Sequence, residues 1–125
     1  LLIHHLFLRI TLHFYTMPLT LEPATGSVPA AGGVITVTIT NSEPGKVAFK
    51  VKSTNNTEYR LNPVYGFVEA GATAPLEITR LAGPPKDDKL VIQFAPAPEG
   101  VADATEAFKA SPAPAGDVTL PLKAE

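Results

Sequence analysis

Residues Val34 to Thr40 read VITVTIT, placing Ile35, Val37 and Ile39 on one side of an extended chain and Thr36, Thr38 and Thr40 on the other. A two-residue period of this kind lets a strand bury one face and leave the other in water. Turn-forming Asn41-Ser42-Glu43-Pro44-Gly45 follows, after which Val47, Phe49 and Val51 alternate with Ala48, Lys50 and Lys52. The pair predicts two strands around a shared core, the second with a basic outer face.

Further short runs of the same kind lie on both sides: Leu19-Thr20-Leu21, Tyr59-Arg60-Leu61, Gly66-Phe67-Val68, Leu76-Glu77-Ile78-Thr79, Leu90-Val91-Ile92-Gln93-Phe94, and Val118, Leu120 and Leu122. Pro121 interrupts the last with a residue that cannot donate a ladder hydrogen bond, which predicts an edge or a bulge there. Seven or eight strands at roughly ten-residue spacing, joined by loops, predict an all-β, immunoglobulin-like sandwich of two sheets. Its expected core is Ile35, Val37, Ile39, Val47, Phe49, Val51, Leu76, Ile78, Leu90, Ile92, Val118 and Leu120. The one helical candidate is Asp103 to Lys109, and the Ala/Pro stretches Phe94–Pro98 and Ser111–Gly116 read as extended loops.

The bulk numbers agree with one such domain. A chain of 125 residues leaves no room for a second core. Hydrophobic residues make up 45% and charged residues 18%, a globular rather than a disordered balance. Thirteen Pro and nine Gly suit many short strands better than long helices. With no Cys, disulfides and thiolate chemistry are excluded and a reducing, cytoplasmic setting is expected. A net charge of −2 gives no general attraction to nucleic acid or anionic lipid.

Residues 1–16, LLIHHLFLRITLHFYT, stand outside this pattern. They are shorter than the roughly 20 residues that span a bilayer and carry scattered His and Arg, so no membrane insertion is expected. They also lack the layout of a signal peptide. The reading is a non-domain extension, upstream of a domain at 17–125. His4 and His5 are adjacent and point to opposite sides of an extended chain, so they do not form a metal site.

Catalytic chemistry finds no support. All three histidines, His4, His5 and His13, lie in that extension, so no nucleophile in the domain has an imidazole base beside it. Asp87-Asp88 lack the repeated oxygen ligands of a calcium loop and read as a solvated turn, as does Asn55-Asn56-Thr57. No glycine-rich phosphate cradle occurs, and no cofactor is expected.

Three segments taken in order, Leu21-Glu22-Pro23, then FKVKST at residues 49–54, then Asn62-Pro63-Val64-Tyr65-Gly66, resemble the major sperm protein domain family. The resemblance covers essentially residues 17–125. The run from Arg80 to Lys89, with Ala107-Phe108-Lys109-Ala110, is most similar to the small sperm-specific nematode members. The resemblance implies a seven-stranded immunoglobulin-like β-sandwich, a cis peptide at Pro63, no tail anchor after Glu125, and action through protein contacts. Its expected partners are further copies, as in a homodimer, or other family members in the sperm cytoskeleton.

In the VAMP-associated branch of that family, an acidic peptide lies across a basic face. Carried over residue by residue, that face comprises Lys50, Lys52, Thr54 and Lys89, with Val91 standing where that branch has a methionine. Thr57-Glu58 replaces a basic pair just before Tyr59. Independently of the resemblance, Lys46, Lys50, Lys52 and Arg60 outnumber Glu58 in this region, which fits an anionic partner. Alternating lysines also serve simply as the solvated, aggregation-resistant face of a strand. The implied roles are a sperm assembly protein and, alternatively, an adaptor for acidic peptide motifs. Release from the cell without a signal peptide, a family trait, is left open.

Overall fold

A computed structural model describes residues 19–110 and 114–125. The extension at 1–16 and part of the Ser111–Gly116 stretch lie outside the described residues. The strands are β1 (Leu19–Glu22), β2 (Gly26–Val28), β3 (Gly33–Asn41), β4 (Val47–Ser53), β5 (Tyr59–Asn62), β6 (Tyr65–Val68), β7 (Thr73–Arg80), β8 (Lys86–Pro96) and β9 (Gly116–Ala124). Among the described residues one helix, α1 (Ala104–Ala110), precedes β9. A four-stranded sheet runs β1-β3-β7-β5 and faces a five-stranded sheet running β2-β9-β8-β4-β6.

The described residues form nine strands rather than the expected seven. Two paths change sheets midway: β1 pairs with β3 whereas β2 runs parallel to β9, and β5 pairs with β7 whereas β6 pairs with β4. Each change of partner breaks one ladder into two. The peptides preceding Pro23 and Pro63 are cis.

The core is built as the alternation requires: Val37, Ile39, Phe49, Leu76, Ile78, Leu90, Ile92 and Leu120 are at most 1% exposed. Burying each such side chain contributes about 1.5–3 kcal/mol. Ile35 and Val118, expected inside, are only half-buried because they sit where the strands leave the core. Leu19, Leu21, Val28, Tyr59, Val68, Phe94 and Leu122 complete it.

Two buried polar residues hold loops in place. Asn41 donates through Nδ2 to the carbonyls of Gly45, Val68 and Glu69 at 2.9, 3.1 and 3.2 Å, and its Oδ1 accepts the Glu43 amide at 2.9 Å. Arg80, 1% exposed, donates from Nη2 to the Pro84 carbonyl at 2.7 Å, and its guanidinium lies 5.1 Å from the Tyr59 ring centre.

Pro121 fits its strand for a geometric reason. The Glu125 amide donates to the Val28 carbonyl, so alternation aims the nitrogens of residues 123 and 121 toward β2 as well. Because β2 begins opposite Leu122, Pro121 sits just beyond it and sacrifices no ladder bond.

Asp87 and Asp88 do not form the expected solvated turn. They belong to β8, and the Asp88 side chain is 3% exposed.

Candidate contact face and groove

Strand pairing places the predicted site residues on the outer face of the five-stranded sheet. Lys52 lies opposite Val91, and Lys50 opposite Gln93. Lys89 is two residues from Val91 on the same side of β8. Thr54 follows β4 and donates its amide to the Lys89 carbonyl at 3.1 Å. Lys50, Lys52, Lys89 and Val91 therefore share one surface, with Thr54 at its end. The exposed Thr54 hydroxyl donates to Asp88 Oδ1 at 2.9 Å.

The outer face is not basic along its whole length. Ala48, expected outward and solvated, is 0% exposed because α1 covers it, packing Ala104 and Ala107 with Tyr65, Phe67 and Phe108. Asp103 caps α1 by accepting the Thr105 amide on Oδ1 at 3.0 Å. Lys46 belongs to this covered end: its ammonium lies 4.2 Å from the Phe67 ring centre and 3.7 Å from Glu69. Six residues of strand, about 20 Å, separate it from Lys52. The basic cluster is thus Lys50, Lys52 and Lys89 rather than one beginning at Lys46.

Glu58 does not oppose that cluster. Its carbonyl accepts the Leu81 amide at 2.6 Å, and its side chain packs over Gly83, where an added Cβ would meet its Cγ at 2.7 Å. It packs against the loop after β7.

Beside Lys52 the sandwich opens into a groove of about 590 Å³, walled by Lys52, Ser53, Asn56, Arg60, Leu61 and Val64 over Tyr59. It forms because β6 stops pairing with β4 here, its last link being the Val51 amide to the Val64 carbonyl at 2.8 Å. By alternation the Ser53 main-chain groups point into the groove. On the opposite wall, bonding of Glu58 to Leu81 turns the Tyr59 and Leu61 main-chain groups toward the same space. Arg60 Nη1 caps that edge, donating to the carbonyls of Asn56, Tyr59 and Thr57 at 2.6, 3.0 and 3.3 Å. The groove has a cation on each rim, apolar Leu61 and Val64 between them, and no carboxylate in its lining.

Leu61 and Val64 were not singled out from sequence. The one available signal is a valine wedged between Pro63 and Tyr65, and it is 43% exposed.

The described residues contain neither histidine nor cysteine, and among them no group of acidic side chains could hold a metal ion. No helix among them is long and apolar enough to cross a membrane. The arrangement presents two cations and inward-turned strand edges to an open, partly apolar space.

The model of the MSP (major sperm protein) domain matches residues 18–113. Sperm-specific class P protein 10 of Caenorhabditis elegans is 52% identical over 108 residues, covering 86% of this chain and 98% of that protein. Among solved structures, SSP-19, an MSP-domain protein of C. elegans, aligns with a TM-score of 0.81 at 50% identity, covering 84% of this chain and 97% of its own. WR4, another C. elegans family member, gives 0.83 at 45% identity over 88% of this chain and all of its own. With family model, relatives and structures in agreement over most of its length, this chain belongs to the major sperm protein domain family.

Proposed function

We propose that this chain is a non-enzymatic, cytoplasmic assembly component of nematode sperm, working in the sperm cytoskeleton through contacts made by the faces of its sandwich. The relatives named sperm-specific support the setting. The observation that carries the contact reading is the clustering of Lys50, Lys52 and Lys89 around Val91, on a sheet face that α1 leaves open. Co-sedimentation with filaments from nematode sperm tests it. The expected result is capture that falls at least tenfold in Lys50→Glu/Lys52→Glu. A chain that never co-sediments overturns the reading.

A second reading, an adaptor for acidic peptide motifs, draws on the groove beside Lys52. Its lining offers cations at both rims, an apolar floor and strand edges turned inward, the features an extended acidic peptide with an aromatic anchor requires. Calorimetry with such a peptide, repeated on Lys52→Glu and Lys89→Glu, separates the two readings. Affinity should fall with salt, since exposed charges are screened over about 10 Å at 0.1 M ionic strength. Equal affinity in both variants excludes this face.

A further inference from the structure

The end of the sandwich opposite the groove also holds an apolar pocket, of about 280 Å³. Pro44, Val47, Phe94, Pro96 and Ala115 supply its apolar wall, and Glu43 and Lys46 also line it. Hydrogen bonds fix these walls. The Ala97 amide donates to the Lys46 carbonyl at 3.1 Å, the Ala115 amide to the Phe94 carbonyl at 2.8 Å, and Asn41 Nδ2 to the Gly45 carbonyl at 2.9 Å. The Phe94 ring packs against Gly116, where an added Cβ would lie 2.7 Å from its Cζ. The pocket is therefore preformed, and its size suits one large side chain.

The chain itself delivers such a side chain. β1 begins at Leu19, directly opposite Asn41, and β1 also touches β9. Residues 1–18 therefore join the fold at the end of the sandwich where the pocket opens, about 10 Å from it by strand spacing and the short Asn41 link to Gly45. In sequence, Leu8, Ile10, Leu12 and Phe14 alternate with Arg9, Thr11, His13 and Tyr15. An extended chain with this period has an apolar side and a polar side, and an uncovered row of large apolar side chains is rare on a soluble domain.

We propose that the extension folds back on its own domain and seats Phe14 in this pocket, with Leu12 and Ile10 against the surface beyond it. Five residues of chain from Leu19 reach up to about 17 Å, which leaves slack for a reversal at Met17-Pro18. Charge favours this end over the groove beside Lys52. The extension carries Arg9 and no Asp or Glu. The groove presents a cation on each rim, whereas Glu43 lines the pocket and Asp117 follows Gly116. The groove also lies at the far end of β4, about 20 Å away. Docking at the pocket leaves the lysine face open, so the inference stands independently of the contact reading.

The chain contains no Trp, so a single introduced tryptophan reports the contact by fluorescence. In the full chain, Phe14→Trp should emit to the blue of Tyr15→Trp. Its acrylamide quenching constant should be lower on the order of fivefold, because a seated side chain is surrounded by protein and an outward one is not. Adding Ala115→Arg or Pro44→Glu, both at exposed positions of the pocket lining, should abolish that difference. Melting curves establish that every variant is folded. Urea denaturation adds a readout without an enlarged side chain: Phe14→Ser should lower the midpoint and Tyr15→Ser should leave it in place. Equal quenching of Phe14→Trp and Tyr15→Trp, protection that survives both lining changes, or equal urea midpoints for Phe14→Ser and Tyr15→Ser overturns the docking. Protection that grows with protein concentration overturns it too, since the pocket would then hold the extension of a second copy.

Discussion

Thr54 and Asp88, 34 residues apart in the chain, are joined by a hydrogen bond of 2.9 Å that closes one end of the five-stranded sheet. Asp88 Oδ2 also accepts Asn55 Nδ2 at 3.1 Å, and Asn55 Oδ1 in turn accepts the amides of Thr57 and Glu58, both at 3.1 Å. One buried carboxylate therefore sets the loop that carries the chain from the lysine strand to the far wall of the groove.

Removing that carboxylate should loosen the loop and the groove together. Asp88→Ala leaves the part-buried Asn55 amide without its acceptor, which costs about 1 kcal/mol, while the exposed Thr54 hydroxyl keeps the Lys89 carbonyl at 3.3 Å. Asp88→Asn keeps the shape and one acceptor oxygen and should cost less. Urea denaturation checks the order; an Asp88→Ala domain as stable as wild type would deny the carboxylate this role.

Gly66 is fixed by its neighbour across the sheet. It pairs with Phe49, and a Cβ at Gly66 would lie 2.6 Å from Cζ of that ring, which is 1% exposed and has no room to retreat. Gly66→Ala should therefore destabilise by about 1–3 kcal/mol through overpacking. Phe49→Leu frees the space, so the double variant should lose less than the sum of the two single losses. Strict additivity would locate the fault elsewhere.

The legible parts of this fold are those with strong periodicity. VITVTIT and VAFKVKS place Val37, Ile39, Phe49 and Val51 inside and Lys50 and Lys52 outside without ambiguity. Residues 26–28, Gly-Ser-Val, are too short and too small to announce β2. Ala48 sits at an outward position, and nothing local shows that α1 will cover it. Arg80 falls at an inward position of β7, where a charged residue reads as a break in the pattern rather than as core. Lys89 and Val91 join Lys52 only through pairing of distant strands, which the family resemblance supplied. The groove was unreadable because its walls, β4 and β5, belong to different sheets.

Tyr59 gives the domain an alkaline limit. Burial pushes its phenol above the ordinary value of 10.0, and the nearby Arg80 charge opposes the shift. Tyr59 Oη has no hydrogen-bond partner of acceptable geometry among the described residues. A raised folded-state value means that the native state holds the proton more tightly than the unfolded chain does. Its contribution is therefore complete below about pH 10 and is lost as pH rises through the folded value. Tyr59→Phe should flatten the decline in stability above about pH 10 measured by denaturant titration. An unchanged slope would assign that decline to other groups.

The cap of α1 titrates in the opposite direction. The Thr105 amide, hydrogen-bonded to Asp103, holds this carboxylate below its usual value of 3.8. A lowered value contributes stability above the ordinary carboxylate range, which is lost as pH falls through the folded value. Acidification should therefore loosen α1 over Ala48, Tyr65 and Phe67 before the sandwich unfolds. Exchange of the Thr105 and Glu106 amides reports it, and Asp103→Asn should remove the pH dependence while retaining a cap. Amides that stay protected throughout the acid range would contradict this order.

Val64 distinguishes a groove that grips an apolar anchor from a surface that merely attracts charge. At 43% exposure, its replacement should change stability by no more than about 0.5 kcal/mol, so binding can be measured without a folding correction. Val64→Asp places a carboxylate between Lys52 and Arg60, neutralising the rims and removing the apolar wall; either mechanism predicts weaker binding of an acidic aromatic peptide. Val64→Lys separates them, because it raises the positive charge while still removing the wall. A groove that seats the aromatic side chain loses affinity in both variants, on the order of tenfold for about 1.4 kcal/mol of lost apolar contact. Purely electrostatic attraction gives tighter binding in Val64→Lys and weaker binding in Val64→Asp, and that result would confine the contact to the flat lysine face.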